Sequence, residues 1–473
     1  MLRIVVTAFF VLVFGVAHAN LSLSSVFTDN MVLQQQKKLP IWGKASVGKK
    51  VSVKTSWNNK TYYTEVDQSG AWKIQITTPE AGGPYSIDIV AGEKIVLNNI
   101  LIGEVWLCSG QSNMEMPLKG YPSQPILEST TSILQANNDN IRLYTVPRNP
   151  KLLPQQDSKP SKWKISNPEN VANFSATAYF FAKRLNDILQ VPVGVILSAY
   201  GGSNVEAWMQ EEWLRDISSL EIPKEEDGLK NKNRIPTMLF NGMIHPIKEF
   251  GIKGIIWYQG ESNYENAESY ETLFTRMVNE YRAIWQDDKL PFYFAQIAPF
   301  DYAALPPYHK LEKYNSAFLR DAQRKSLAAL PNSGMVVTLD IGEKDCIHPS
   351  KKREVGERFA LLALQDLYMF KGIHTHSPIY DKFEIHGGQI SVHFKDAPLG
   401  LTSFGQDLNH FEIAGEDRIF YPAQATIKKN ITVVSSPKVS KPVAVRYAFK
   451  DFVTGDLFGV NGLPVSSFRT DHW

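Results

Sequence analysis

Along residues 20–100, apolar and polar positions alternate in short runs at 51–55, 61–64 and 72–76, interrupted by Asn58-Asn59 and Gln68-Ser69-Gly70. A period of two is the pattern of half-buried antiparallel strands, and several such runs between turns predict a β-sandwich-like module. Over residues 101–372 the pattern changes. Apolar runs at 104–108, 194–199, 254–257, 292–297 and 335–339 read as strands, separated by helical periodicity at 176–189, 270–285 and 316–330. A long helical pattern at 352–368 follows the last of them. Strand–helix alternation at this spacing predicts an α/β domain whose parallel sheet is covered on both faces. From 373 to 473 the two-residue period returns, as at 389–394 and 431–434, and predicts a C-terminal β-rich module.

The first 19 residues stand apart from these modules. Arg3, an apolar run over 4–16 and Ala17-His18-Ala19 have the layout of a secretory signal with cleavage near Ala19, so a periplasmic or secreted location is expected. The run is too short for a membrane span, and no later stretch of the sequence approaches 18 continuous apolar residues. The formal charge of +2 over 473 residues, without a basic block carrying interleaved aromatics, gives nucleic-acid binding no support. Two cysteines, Cys108 and Cys346, cannot make a disulfide framework. Each lies close in sequence to a candidate catalytic residue, which leaves open whether they are neighbours in space. The histidines lack metal-ligand spacing. His374-x-His376 comes nearest and reads as a surface loop.

In open parallel sheets, ligands bind outside the carboxyl ends of the strands. After the first predicted strand comes Ser109-Gly110-Gln111-Ser112-Asn113-Met114, and after the second Tyr200-Gly201-Gly202-Ser203-Asn204. After the third comes Gln259-Gly260-Glu261-Ser262-Asn263, and after the fifth Asp340 followed by Asp345-Cys346-Ile347-His348-Pro349. A serine at a strand-to-helix turn sits where backbone N–H groups are free to face a developing oxyanion. Its hydroxyl is a weak nucleophile without a base, and an imidazole supplies one near neutral pH. His348 fits that role, and Asp345 three residues earlier could hold the ring in the productive tautomer. Asp340, at the strand end itself, competes for the same task but reads as structural, as does His245.

These four segments resemble the SGNH/GDSL hydrolases, most closely their sialate O-acetylesterase-like branch. There Gly-Gln-Ser-Asn-Met carries the serine, Gly-Gly follows the second strand, Trp-x-Gln-Gly-Glu-Ser follows the third, and Asp-x-x-His-Pro ends the set. All four occur here in that order. Leu239-Phe240-Asn241-Gly242-Met243-Ile244 and the C-terminal segments Ala444-Val445-Arg446-Tyr447, Gly462-Leu463-Pro464 and Phe468-Arg469-Thr470-Asp471 extend the likeness over nearly the whole chain after residue 19. The resemblance implies a flavodoxin-like SGNH core flanked by the two β-rich modules.

It also implies a catalytic set of Ser112, His348 and Asp345, and an oxyanion hole built from the N–H groups of Ser112 and Gly202 with a side-chain amide. Many such enzymes place that amide on an asparagine in Gly-x-Asn-Asp; this chain departs from the pattern, so Gln259 is favoured and Asn263 is the alternative. Asn113 and Glu261 are possible supporting residues. The expected activity is an acyl-enzyme esterase that removes acetyl groups from O-acetylated sugars and needs no cofactor. Acetylated sialic acid is the first substrate expected; acetylxylan or another hemicellulose is the alternative. A catalytically silent sugar-binding protein would lack a nucleophile, base or oxyanion glycine, and this sequence lacks none of them. A metal-dependent deacetylase would need an Asp/His ligand cluster that the sequence does not contain.

Overall fold

The computed structural model describes residues 20–217, 220–305 and 315–473; the expected signal segment lies outside them. Seven strands form the central sheet: β1 (Glu93–Gly110), β2 (Asn138–Thr145), β3 (Lys164–Ser166), β4 (Val193–Ala199), β5 (Gly254–Tyr258), β6 (Phe292–Ala295) and β7 (Ser333–Val336). Their order is β3-β2-β4-β1-β5-β6-β7. All run parallel except the edge strand β3, which is antiparallel to β2. The chain fills one side of β1 with β2, β3 and then β4, which inserts between β1 and β2, before it crosses to the other side with β5, β6 and β7. The carboxyl end of β1 is therefore the point where strand order reverses and a crevice opens.

Successive residues of β1 point to opposite faces, and both faces are covered. Trp106 and Cys108 join a buried cluster with Phe181, Val355 and Phe359, whereas Val105 and Leu107 join one containing Phe274 and Leu319. The first face is packed by helices α2 (Ala176–Leu189) and α5 (Lys352–Asp366), the second by α3 (Ala267–Ile284) and α4 (Ala317–Ala329). Helix α2 begins where the pattern predicts because Ser175 accepts the Ala178 N–H, and it ends at Gln190, whose backbone is left-handed (φ 55°).

In the N-terminal module, Lys38–Lys44 pairs with Ser22–Leu23 and Ala71–Thr77, and a second sheet joins Lys50–Thr55 to Thr61–Glu65 and Gly82–Ala91. Gly82–Ala91 also pairs with the first half of β1, whose second half lies in the central sheet. The expected boundary near residue 100 thus falls inside one continuous 18-residue strand. The C-terminal region contains two four-stranded antiparallel sheets. One is built on Ile379–His386, Gln389–Lys395, Ile431–Ser435 and Gln424–Lys428. The other is built on Phe420–Pro422, Phe411–Ala414, Ala444–Tyr447 and Phe468–Arg469.

Candidate active site

The turn that carries Ser112 is set by glycine. Gly110 ends β1 at φ 139°, and a Cβ there would lie 2.1 Å from the Tyr258 carbonyl oxygen, so no other residue fits without displacing β5. The Gln111 N–H then donates to that carbonyl at 2.9 Å, and the chain turns into the short helix α1 (Ser112–Glu115) with Ser112 as its first residue. Ser112 is half-buried, and among the described residues neither its hydroxyl nor its backbone N–H has a hydrogen-bond partner. The neighbouring Ser109 is different: it is fully buried and its hydroxyl donates to the Ser198 carbonyl at 2.7 Å. One serine holds strands together and the other faces the cleft.

Beyond β4, Gly201 packs directly on Ser112; a Cβ there would meet Ser112 Cβ at 3.3 Å. The Gly201 N–H donates to Glu115 Oε2 at 2.8 Å, and the Gly201 carbonyl accepts from Asn233 Nδ2 at 2.8 Å. In a trans peptide the carbonyl and the following N–H point in opposite directions. Asn233 therefore turns the Gly202 N–H away from itself, and that N–H is unpaired among the described residues. Glu115 is fixed in turn by a two-pronged contact from Arg148 (2.6 and 2.5 Å), whose guanidinium lies over the Tyr200 ring at 4.3 Å.

The loop after β5 is fastened to the same turn. Gln111 Oε1 accepts the N–H groups of Gly260 and Ser262 at 3.2 and 3.3 Å. Gln259 is completely buried, and its amide donates to the Ser203 carbonyl (3.0 Å) and to Asn263 Oδ1 (2.7 Å) while accepting from the Tyr270 hydroxyl (3.0 Å). Both its N–H groups are committed to the scaffold. Asn263 Nδ2 makes one such contact, to Glu206 Oε2 at 2.9 Å, and keeps its second hydrogen. Burial raises the Glu206 carboxyl above the usual carboxylate range, partly offset by that hydrogen bond.

His348 is half-buried, with its ring edge-on to Tyr121 at 5.5 Å. Its Nδ1 lies 2.7 Å from Gln124 Oε1, in the turn Tyr121-Pro122-Ser123-Gln124. An amide oxygen can only accept, so Nδ1 carries the hydrogen and the lone pair of the neutral ring is on Nε2. Asp345, expected as the Nδ1 partner, is exposed and has no hydrogen bond or ion pair among the described residues; Gln124 stands in that place. No Ser112–His348 hydrogen bond is present, as is common where such contacts close only around substrate. Desolvation first, and then the Lys352 ammonium, hold the imidazole down at about 4.

Beneath the site lies a buried polar group of three. Asn113 Nδ2 donates to Glu261 Oε1 (2.5 Å) and to the Ile347 carbonyl (3.0 Å), while its Oδ1 accepts from Lys352 Nζ (2.5 Å). Burial raises the Glu261 carboxyl, and hydrogen bonding from Asn113 opposes that rise. Lys352 sits at the start of α5 and its ammonium lies 5.7 Å from the Tyr258 ring centroid. Sequence reading missed Gln124, Asn233 and Lys352; of these only Lys352, four residues after His348, lies beside a recognised motif.

The other candidates have structural partners. Asp340 takes a bidentate contact from Arg358 (2.8 and 2.6 Å), and His245 lies between the Gln155 carbonyl (2.8 Å) and Lys248 Nζ (2.9 Å). Both cysteines are free thiols; Cys346 Sγ donates to the His348 carbonyl at 3.2 Å. His376 pairs with Asp366 at 2.8 Å. Among the described residues no group of three or more His, Cys, Asp or Glu could hold a metal, and no helix is long and apolar enough to cross a membrane.

Comparison with known proteins identifies the family. Residues 102–365 match the family model described as carbohydrate esterase, sialic acid-specific acetylesterase. The chain is 27% identical over 408 residues to the sialate O-acetylesterase of Homo sapiens, covering 78% of this chain and 76% of the relative. It is 26% identical over 423 residues to that of Mus musculus, covering 76% of each. A carbohydrate acetylesterase from Xanthomonas citri superimposes with a TM-score of 0.87 and 35% identity over 96% of this chain and 100% of that one. The chain is a carboxylic ester hydrolase and belongs to the sialic acid-specific acetylesterase family of carbohydrate esterases.

Proposed function

We propose that this protein is an exported serine esterase with an SGNH-type core that removes acetyl groups from O-acetylated sugars, acetylated sialic acid foremost, through an acyl-enzyme on Ser112. The observation that carries the reading is the turn at Ser112 itself. Its hydroxyl and N–H are unpaired, it lies against Gly201, and the adjacent Gly202 N–H is unpaired too. The nearby segment carries an imidazole whose Nδ1 is already engaged by Gln124.

In this reading Ser112 Oγ attacks the acetyl carbonyl carbon as His348 Nε2 takes its proton. The oxyanion forms against the N–H groups of Ser112 and Gly202 and the spare hydrogen of Asn263 Nδ2. Asn263 rather than Gln259 is the third donor because both Gln259 N–H groups already have acceptors. One such donor is worth about 10²–10³ in turnover. Collapse expels the sugar oxygen, which takes the proton from His348. Water then attacks the acetyl-serine with His348 again as base, and acetate leaves as Ser112 recovers its proton. General-base assistance of this kind contributes roughly 10²–10⁴. Gln124 fixes the tautomer but, being neutral, lends the imidazolium no charge.

The test is acetate release from an aryl acetate and from O-acetylated sialic acid, acetylxylan and acetylated oligosaccharides. The sialic acid ester is expected to be the best sugar substrate. A clear preference for acetylxylan would keep the chemistry and replace the sugar.

A further inference from the structure

The mechanism uses neither of the two charged side chains buried directly beneath it. Lys352 is 1% exposed and Glu261 4%, and the Asn113 amide lies between them with its oxygen toward the ammonium and its nitrogen toward the carboxylate. Glu261 Oε2 has no hydrogen-bond partner among the described residues. Burying an ammonium is costly, and the start of α5 is the positive end of a helix, where a cation is disfavoured further. A leucine or methionine could occupy such a place without either penalty.

What the arrangement does is visible in the positions it connects. Asn113 follows the nucleophile in the chain, and its Nδ2 donates to the carbonyl of Ile347, the residue before His348. One amide thus ties the Ser112 turn to the His348 segment and to the loop after β5. An amide can be turned end for end, exchanging its donor and acceptor faces. Lys352 on one side and Glu261 on the other permit only one of the two orientations.

We propose that Lys352 is a positioning residue of the esterase site: with Glu261 it locks the Asn113 amide that ties nucleophile to base, and it places its ammonium beside the His348 segment. The proposal rests on His348 being the base that serves Ser112.

The groups acting on Lys352 are Glu261 on the loop after β5, Glu343 and Cys346 on the His348 segment, and Tyr258 on β5. Helix α2, packed along α5, directs its charges elsewhere: Lys183 pairs with Asp187, and Arg184 with Glu357. Burial lowers Lys352 to about 7, with Glu261 opposing. The ammonium is therefore present throughout the acid range in which His348 would take up a proton. A cation beside an imidazole disfavours the imidazolium, so removing the charge raises the pH at which the base is lost.

The experiment is the pH profile of kcat and kcat/KM for an aryl acetate with wild type, Ser112→Ala, Lys352→Arg, Lys352→Gln and Lys352→Met. Lys352→Gln keeps a hydrogen-bond donor and loses the charge; its acid limb is expected to move up by about half a pH unit or more. Lys352→Met loses both, and its plateau kcat is expected to fall about tenfold as well, with KM changed less than about threefold. Lys352→Arg should keep the wild-type limb. If Lys352→Met does not fold, the Lys352→Gln profile decides. Acid limbs unmoved in the charge-removing variants would overturn the proposal and leave the serine mechanism standing. Activity retained by Ser112→Ala would instead overturn the reading on which it rests.

Discussion

At the scale of single residues, the partner of His348 separates two accounts of the site. If Gln124 orients the ring, Gln124→Ala should lower kcat at least about tenfold, because the ring is no longer held in the tautomer that leaves Nε2 free. Asp345→Asn should cost less than about threefold, since Asp345 is exposed and has no hydrogen bond or ion pair among the described residues. Gln124→Glu puts a carboxylate on Nδ1, which favours the imidazolium, so the acid limb of kcat/KM should lie at higher pH than in the wild type. All three are read from one set of pH–rate curves. Ser112, Gly202 and His348 could be singled out as candidates from sequence because each follows a strand in a recognisable motif. Gln124 was not, since it reaches the imidazole across 224 positions from an ordinary polar turn. The choice between Gln259 and Asn263 was equally closed to sequence. It depends on which amide hydrogens are already spent, a matter of contacts to Ser203, Asn263 and Glu206 rather than of residue type.

At the scale of elements, the site depends on two backbone arrangements that carry no catalytic side chain. Gly110→Ala would push a methyl into the β5 backbone at Tyr258, and should destabilise the protein by about 2 kcal/mol or more, as measured by chemical denaturation. Asn233→Ala leaves the fold intact but frees the Gly201–Gly202 peptide to rotate. If the Gly202 N–H serves the oxyanion, the variant should lower kcat about tenfold with KM little changed, because such a contact is made chiefly in the transition state. Apart from β1, which begins at Glu93 rather than near 104, the strands and helices named from periodicity appear within a few residues of their expected ends. Strand β2 escaped because Asn138-Asp139-Asn140 reads as a turn and Arg142 sits where an apolar residue would be expected. Arg142 is tolerated at 2% exposure because its guanidinium donates to the carbonyls of Asp139 (2.8 Å) and Asn30 (3.3 Å).

At the scale of the whole molecule, strand β1 makes the N-terminal module part of the catalytic domain's structure. Val32–Gln34 also pairs in parallel with β1 at Leu101–Gly103, and Trp163 Nε1 donates to the Val26 carbonyl at 2.9 Å. The C-terminal region is fastened as firmly. Gln296, just beyond β6, donates to Ser466 Oγ at 2.9 Å, and the buried Arg320 of α4 reaches Ser467 Oγ at 3.2 Å and the Lys450 carbonyl. A chain beginning at residue 101 should therefore fail to fold, and residues 20–473 should lose tryptophan fluorescence and activity in one coincident transition. Two separate transitions would contradict this. The alternation of polar and apolar residues revealed three textures along the chain, but not that two of them share a strand. Asn98-Asn99 looks like a turn at the junction, and the strand absorbs it with Asn99 in a left-handed conformation (φ 55°) and the Asn98 N–H donated to Asp29 at 2.7 Å.

The central claim is that Ser112 is the nucleophile of a sugar O-acetylesterase. It is tested most directly by acetate release from O-acetylated sialic acid with the wild-type protein and Ser112→Ala. The wild type should release acetate and the variant should fall by at least about 10³, with its melting temperature unchanged. Acetate release by a folded Ser112→Ala at a rate near that of the wild type would contradict it.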